Sequence, residues 1–365
     1  MSKTTLSERL HSIASANIES GTELGVSFCA LKEGEVLAEF HTGYIDRKKE
    51  TPWTEDTISC VYSSGKAVTS LLVAKAVSDG MLDYKAPIAN IWPEFAASGK
   101  EGVTLEQVLS HQEGLCGFPD EMPPEEWLDW DLICARLAAM SPLWEVGSAS
   151  GYHPQTFGLI VGEVLKRATG HPIGEHLRQM NAGIYCGLQD NEIDRTAFMP
   201  RPPRAPDLGT ITDLKQIAFL KPWSAPARVS RDEWLAAELP ASNMHTNAKS
   251  LATFLHPFAN NGIGFDGQRF CSDAAINDAL TVRISGDDLV LPFNLTWAAG
   301  LMANTQGHFG PSKTAFGHAG FGGSCIVVDP ANGLVVAYVM NKMSEHLVGD
   351  PRAVALINEV YASLD

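Results

Sequence analysis

The sequence predicts an α/β protein of the α+β type, with one antiparallel sheet built from both chain ends, flanked by helices, and an inserted, mostly helical lobe. Strand-like runs lie near both termini, and helical patterns fill the region between them. A chain of 365 residues with 45% hydrophobic side chains is also long enough to bury a large core. We therefore expect a sheet domain from residues 1–80 and 240–365, and an inserted helical domain from residues 81–239.

The first eighty residues predict a helix, a hairpin and a second helix. Apolar residues recur at helical spacing between residues 5 and 20, which predicts an amphipathic helix. Two strand-like runs at 25–31 and 35–40, separated by a short turn, predict a hairpin. A strongly apolar stretch then begins at Ser63 and predicts a helix that ends near Gly80, because glycine is favoured just beyond a helix end.

The middle of the chain predicts helices joined by proline-rich connections. Thr104 and Gln107 form a capping-box pattern that opens a short helix. The clearest helix of this region runs from 156 to 167 and stops at Gly170. Many prolines between residues 198 and 228 predict a long extended loop over the surface.

Strands return near the end of the chain and are followed by a last helix. Apolar runs at 296–301, 324–329 and 333–340 predict three strands, the last two joined by a tight turn. Asp350 followed by Pro351 predicts a helix start, because aspartate caps a helix and proline suits its first position.

Composition narrows the classes of partner. The formal net charge of −16, without a basic run, argues against a nucleic acid. The seven cysteines are dispersed without metal-site spacing, which favours buried thiols in a reducing compartment. The first ten residues lack the apolar stretch of a secretory signal, and no apolar run is long enough to cross a bilayer. We therefore expect a cytoplasmic protein without metal, membrane or nucleic-acid partner; oligomeric state is not indicated.

The start of the second predicted helix carries the first catalytic candidate. Ser63 and Lys66 lie three residues apart and therefore on one helix face. The lysine amine can take the serine hydroxyl proton, and the free N–H groups of the helix start favour developing negative charge. A serine and a lysine at this spacing also occur at the polar start of an ordinary helix. Other segments of the chain are therefore needed to distinguish a catalytic pair from a structural one.

Tyr152 is the second candidate, in the loop Gly151-Tyr152-His153-Pro154 before the predicted helix 156–167. A loop tyrosine can present its phenol into a cleft, and a neighbouring lysine cation favours a fraction of phenolate that can act as a base. The alternative is a buried tyrosine that anchors the loop. His153 and His111 flank such motifs, and we expect them to hydrogen-bond local backbone.

A glycine-rich segment before the strand 324–329 is the third candidate. It contains His318, Ala319 and Gly320, followed by Phe321. Glycine lets a ligand approach the backbone closely, and backbone N–H groups there could bind an oxyanion. The alternative is an ordinary glycine-rich turn.

The three candidate segments together resemble the serine β-lactamase and penicillin-binding-protein superfamily, and within it the class C β-lactamase-like branch that includes family VIII carboxylesterases. The order and spacing of Ser63-x-x-Lys66, the Tyr152 loop and His318-Ala319-Gly320 carry the resemblance. Flanking segments agree with it as well: 79–88, 91–95, 108–115 and 240–243. The resemblance implies a β-lactamase/transpeptidase-like fold.

Two departures from the lactamase pattern bear on the substrate. Class C β-lactamases carry Tyr-x-Asn, whereas the third residue here is Pro154. They also carry Lys-Thr-Gly where this chain has His318-Ala319-Gly320, as esterase-like members often do. In the nearby Lys313-Thr314-Ala315 the third residue carries a β-carbon, and five residues separate it from the strand that should follow. The resemblance therefore implies poor recognition of a lactam carboxylate.

The resemblance and the residues together imply a serine carboxylesterase that acts on a small-molecule ester without a cofactor. Ser63 would attack the carbonyl, and Lys66 with Tyr152 would share the proton transfers. The backbone N–H groups of Ser63 and Phe321 would form the oxyanion hole, and residues 318–320 would contact substrate. The alternatives are an acyltransferase that uses the same acyl-enzyme, a weak β-lactamase or amide hydrolase, and an acyl-binding receptor without turnover.

Overall fold

The computed structural model of the protein describes residues 5–364; residues 1–4 and 365 of the predicted sheet domain lie outside this range. Its strands are β1 (Gly25–Lys32), β2 (Glu35–Gly43), β3 (Ser59–Cys60), β4 (Ile184–Tyr185), β5 (His245–Thr246), β6 (Ile284–Asp287), β7 (Asn294–Trp297), β8 (Met302–Ala303), β9 (Phe316–Ala319), β10 (Cys325–Asp329) and β11 (Leu334–Met340).

The α-helices of the described range are α1 (Leu6–Glu19), α2 (Gly65–Ser78), α3 (Leu105–Leu109), α4 (Trp130–Ala139), α5 (Thr156–Thr169), α6 (Ile173–Gln179), α7 (Asp190–Ile193), α8 (Asp213–Lys215), α9 (Arg231–Ala236), α10 (Ala248–Ala259), α11 (Asp273–Ala279) and α12 (Pro351–Tyr361). Short 3₁₀ segments cover Tyr62–Ser64, Ile88–Asn90, Pro93–Gly99 and Pro124–Leu128, and a π-helical turn covers Gln216–Leu220.

The main sheet joins the two ends of the chain. Eight antiparallel strands follow the order β2-β1-β11-β10-β9-β8-β7-β6. The N-terminal hairpin meets the C-terminal strands where β1 pairs with β11, from Val26 opposite Met340 to Lys32 opposite Leu334. The predicted antiparallel sheet from both chain ends, flanked by helices, is therefore confirmed. The proposed domain boundaries stay a prediction.

Alternating side chains give the sheet two buried faces. Cys29 and Leu31 of β1 belong to the cluster that contains the apolar residues of α2 and α10. Phe28 and Ala30 point to the opposite face, where α1 and α12 cover the sheet. Because side chains alternate along a strand, one apolar strand serves both layers.

Helix α2 is the central element of the molecule. Its residues from Gly65 to Ala74 are buried, and it packs against α5, α10 and α11. The helix ends at Ser78, followed by Gly80 with φ +74°, as predicted. An apolar helix that is surrounded on all sides has a fixed position, and it holds Ser63 at the edge between the sheet and the helices.

Two predicted segments differ from the structure. The run 296–301 is not one strand, because β7 stops at Trp297 and a tight turn with Gly300 at φ +82° precedes β8. The glycine-rich segment that precedes β10 is not entirely a turn, since its residues His318 and Ala319 belong to β9. Strands of two to four residues give no readable alternation, which explains both errors.

The proline-rich segment 198–228 is only partly an extended surface loop. It contains α8 and the π-helical turn, in which Ile217 and Ala218 are buried in the same cluster as Tyr152. Ser224 fixes this turn by donating to the Ile217 carbonyl at 2.6 Å. Part of the segment is therefore buried in the same apolar cluster as Tyr152.

Across residues 5–364, none of the helices combines the length and the apolar character that a transmembrane segment requires.

Candidate active site

Ser63 lies in a tight turn between β3 and α2. The preceding residue, Tyr62, has φ +44°, a left-handed conformation that non-glycine residues rarely adopt. The turn is held by a hydrogen bond from the Val61 N–H to the Met244 carbonyl at 2.9 Å. Gly65 packs against Met244 so closely that a β-carbon would collide with it. Ser63 is consequently half-buried at the start of α2.

Lys66 brings three distant stretches of chain together. Its side chain is fully buried, and Nζ lies 3.1 Å from Ser63 Oγ. Nζ also donates to the carbonyls of Pro154 at 3.0 Å and Ala241 at 3.2 Å. Pro154 belongs to the loop before α5, and Ala241 precedes β5. The amine therefore has one hydroxyl and two carbonyl oxygens around it.

Burial determines the charge of this amine. It lowers the pKa of Lys66 well below its usual value, because an ammonium loses its hydration there. Among the ion pairs of residues 5–364, none includes Lys66. In its neutral form the amine can donate to the two carbonyls and accept from the Ser63 hydroxyl, so the three oxygens around Nζ suit a base. Lys66 can therefore act as a base.

Tyr152 completes the group around Ser63. Its phenol is hydrogen-bonded with the Ser63 side chain, and its ring lies 4.9 Å from Lys66 Nζ. Burial raises the pKa of Tyr152 far above its usual value. The expectation of partial phenolate is therefore wrong, since desolvation by burial is the largest cause of the shift and outweighs the hydrogen bond with Ser63. Tyr152 is a phenol that can donate its proton.

Asp288 anchors the Tyr152 loop and was missed at the sequence level. Its Oδ1 accepts the Tyr152 N–H at 2.9 Å, and its Oδ2 accepts the Ser150 hydroxyl at 2.9 Å. The same carboxylate accepts the N–H groups of Val290 and Leu291. An aspartate that accepts from the N–H groups of its own turn is a pattern that a sequence can indicate. The contact with the Tyr152 loop, 136 residues away, leaves no signal in the sequence.

The two flanking histidines have structural contacts, as expected. His153 Nε2 accepts the Leu115 N–H at 2.8 Å, and His111 Nδ1 accepts the His153 N–H at 3.2 Å. Both rings are buried. They fix the loop that carries Tyr152.

His318 lies in β9 and presents no charge. Its ring is buried, 6.2 Å from the Tyr152 ring and 6.0 Å from the Trp297 ring. Burial lowers the pKa of His318 to about 3, so the ring is neutral. By contrast, Lys313 donates to the Thr305 carbonyl at 3.1 Å, outside the group around Ser63.

The turn from β9 to β10 lies directly against the Ser63 turn. Ser324 donates its hydroxyl to the Val61 carbonyl at 2.7 Å and lies 3.1 Å from the Ser64 hydroxyl. At Gly320 a β-carbon would collide with the Val61 carbonyl, so only glycine fits. Within residues 5–364 the Phe321 N–H has no hydrogen-bond acceptor. A backbone donor is thus available beside Ser63.

The match to a known family covers nearly the whole chain. Residues 12–359 match the family model described as Beta-lactamase. The chain belongs to the β-lactamase family. The resemblance read from the motifs is confirmed, and the protein is an enzyme of the serine β-lactamase-like hydrolase superfamily.

Solved structures and a curated relative support this membership of the β-lactamase family. The chain is 43% identical to a penicillin-binding protein homologue from Caulobacter crescentus, with a TM-score of 0.95 over 99% of both chains. It is 34% identical to a family VIII carboxylesterase, with a TM-score of 0.90 over 98% of this chain and 97% of the other. It is also 29% identical to the esterase/beta-lactamase LipL of Mycobacterium tuberculosis, over 89% of this chain and 78% of that protein.

We expect this β-lactamase-family protein to lose stability in acid through its buried histidines. Burial lowers the pKa of His153 and His318 to about 3 and that of His245 to about 4. The unfolded chain binds these protons below pH ~6.5, so the free energy of unfolding falls as the pH drops from there. Between pH 7.5 and 5 each histidine should cost about 2 kcal/mol.

Urea denaturation at several pH values measures this dependence. His153→Gln should flatten the slope between pH 7.5 and 5, and His346→Gln, at an exposed position, should leave it unchanged. The buried carboxyls of Glu23 and Glu113, whose pKa is raised, change the free energy of unfolding in the opposite direction, so the comparison is made between variant and wild type. A slope that is the same in His153→Gln as in the wild-type protein would contradict the assignment of a neutral His153 ring.

Proposed function

We propose that the protein is a carboxylesterase that cleaves small-molecule esters through an acyl-enzyme on Ser63. The observation that carries this proposal is the 3.1 Å approach of Lys66 Nζ to Ser63 Oγ, with Tyr152 hydrogen-bonded to the same hydroxyl. The carboxylesterase and esterase names of the relatives support an ester substrate.

In the acylation step, the lone pair of neutral Lys66 takes the Ser63 proton while Oγ attacks the carbonyl carbon. The ammonium that forms is stabilised by the Pro154 and Ala241 carbonyls, which remain within hydrogen-bond distance. The Tyr152 phenol protonates the departing alkoxide and recovers a proton from Lys66. The alcohol leaves, and the acyl group stays on Ser63.

The negative charge of the tetrahedral intermediate needs fixed donors. The backbone N–H groups of Ser63 and Phe321 would supply them, each worth about 3 kcal/mol in comparable sites. In deacylation, a water molecule attacks the acyl-enzyme and gives its proton to Lys66; as the tetrahedral intermediate collapses, Lys66 returns this proton to Ser63 Oγ, and the carboxylic acid is released. The same groups therefore serve both half-reactions.

A neutral pocket favours uncharged esters over lactams that carry a carboxylate. The resemblance aligns His318 with the lysine of the lactamase Lys-Thr-Gly motif, and burial keeps this ring uncharged. Pro154 occupies the position of the lactamase asparagine, and the Pro154 carbonyl accepts a hydrogen bond from Lys66. A substrate carboxylate would therefore find neither the cation nor the amide that it meets in lactamases.

An acyltransferase is the second candidate, favoured by one observation. Ile217 and Ala218 of the segment 198–228 are buried in the same apolar cluster as Tyr152, which favours a site poor in water. A dry site slows hydrolysis of an acyl-enzyme. With 1-butanol added to p-nitrophenyl butyrate, a transferase would release butyl butyrate faster than butyric acid, whereas an esterase would release mainly the acid.

The acyl-enzyme is the first test. Brief mixing with p-nitrophenyl butyrate, followed by mass spectrometry, should show one butyryl group on wild-type protein, located on the peptide that contains Ser63. Ser63→Ala should lose both the adduct and turnover. Ser64→Ala is the matched control, because that hydroxyl bonds Ser324 rather than Lys66, and it should still acylate.

Retention of multiple turnover by Ser63→Ala would contradict the proposal. A wild-type adduct that persists without turnover would instead identify an acyl-binding receptor.

Substrate charge gives a second prediction. The value of kcat/KM for p-nitrophenyl butyrate should exceed that for a chromogenic cephalosporin by about 10–100-fold or more, since the missing cation is worth a charge-assisted hydrogen bond. Steady-state kinetics with both substrates measures the ratio. A cephalosporin preferred over the ester would overturn the assignment as an esterase.

A further inference from the structure

The turn that bears the Phe321 N–H contains two adjacent glycines, which restrict its conformation little. Gly322 and Gly323 have φ of +96° and +126°, a region that glycine adopts readily. Two internal hydrogen bonds close the turn, from Gly320 N–H to the Ser324 carbonyl and from Gly323 N–H to the Gly320 carbonyl. Two adjacent glycines have no side chains to pack. The direction of the Phe321 N–H therefore depends on contacts from outside the turn.

Arg352 supplies such a contact from helix α12. Its Nη2 donates to the Gly322 carbonyl at 2.9 Å, and the same carbonyl accepts the Ser344 N–H at 2.9 Å. The Arg352 side chain is 5% exposed. A buried guanidinium thus bonds the residue next to Phe321.

The guanidinium is itself held rigidly by two carboxylates. Asp350 accepts Nε at 3.0 Å and Nη2 at 2.8 Å, and Glu23 accepts Nη1 at 3.0 Å. Nη1 also donates to the Lys342 carbonyl at 2.8 Å. With this many partners the planar guanidinium of Arg352 has one allowed orientation. A lysine ammonium could not make the same set of hydrogen bonds.

The ion pair lies directly against the turn. A β-carbon at Gly323 would collide with Asp350 Oδ2 and with Arg352 Nη2. Asp350 also accepts the Ser344 hydroxyl at 2.6 Å, so the second donor to Gly322 is tied to the same carboxylate. An ion pair that served only to join α12 to the strands would not need to contact the turn at all.

We propose that Arg352 is a positioning residue that, together with Asp350, holds the turn Gly320–Ser324 so that the Phe321 N–H faces the reacting oxygen. This inference rests on the proposed function. Arg352 does not touch the substrate; it acts by preorganising a donor, so its removal should weaken binding of the transition state more than binding of the substrate.

Two variants test the proposal while limiting the damage to folding. Removing Arg352 alone would leave two unpaired buried carboxylates, which is strongly destabilising. The first variant therefore combines Arg352→Met with Glu23→Gln and Asp350→Asn. The second, Gly323→Ala, keeps every charge and displaces the turn through its β-carbon. Thermal unfolding should establish that both variants are folded before kinetics are measured.

The expected signature separates kcat from KM. With p-nitrophenyl butyrate, kcat should fall about 10–100-fold in both variants, somewhat less than for complete loss of an oxyanion donor, and KM should change less than about threefold. Phenylboronic acid forms a tetrahedral boronate on the serine, with an oxygen in the oxyanion position, so its inhibition constant should rise by a factor similar to the fall in kcat.

Arg178→Met is the matched control. Arg178 also pairs with a carboxylate, Glu192, and also donates to a backbone carbonyl, that of Gly187 at 2.7 Å. It should lose stability and keep kcat within about twofold.

The outcomes are distinguishable. Folded variants with unchanged kcat, or an equal loss of kcat in Arg178→Met, would overturn the inference alone. A wild-type protein that forms no acyl-enzyme on Ser63 would overturn the proposed function and this inference with it.

Discussion

The candidate site depends on burying one lysine amine without a counter-ion. Lys66 is enclosed by α2, by the loop before α5 and by the segment before β5, and its Nζ meets only oxygens that carry no charge. A carboxylate in that position would stabilise the ammonium and leave no free lone pair to accept the Ser63 proton. Carbonyl oxygens can accept from either protonation state, so they hold the amine in place while burial favours its neutral form.

Two further contacts position the chain segments that surround this amine. Asp288 fixes the backbone of the Tyr152 loop, and Ser324 joins the β9–β10 turn to the Ser63 turn. Both contacts connect segments that are far apart in sequence, and both place a polar group in a buried location where it is fully bonded. Such networks keep a site at one geometry, which catalysis by fixed dipoles requires.

Local signals in the sequence predicted much of the fold. The capping box at Thr104, the stop at Gly170 and the Asp350-Pro351 helix start all lie where the structure has them, because each depends on neighbours within a few residues. The run 296–301 was wrong because the very short strand β8 has no periodicity. The order of motifs, read as a family resemblance, supplied the candidates around Ser63.

The rest of the site could not be predicted because it depends on contacts across the fold. Asp288 and Arg352 are ordinary charged residues in the sequence, and only the folded chain brings them to the Tyr152 loop and the Phe321 turn. The phenolate expected at Tyr152 was wrong for a related reason: burial, which the sequence does not give, raises the pKa of Tyr152 and lowers that of Lys66.

The charge state of Lys66 tests the account most directly. In protein labelled with ¹³C-lysine, the Cε resonance assigned by comparison with Lys66→Arg can be followed with pH by NMR. We expect this resonance to titrate well below the range of the exposed lysines, so that the amine is neutral where they are still charged. A Lys66 signal that titrates together with them, near pH ~10.4, would contradict the central claim.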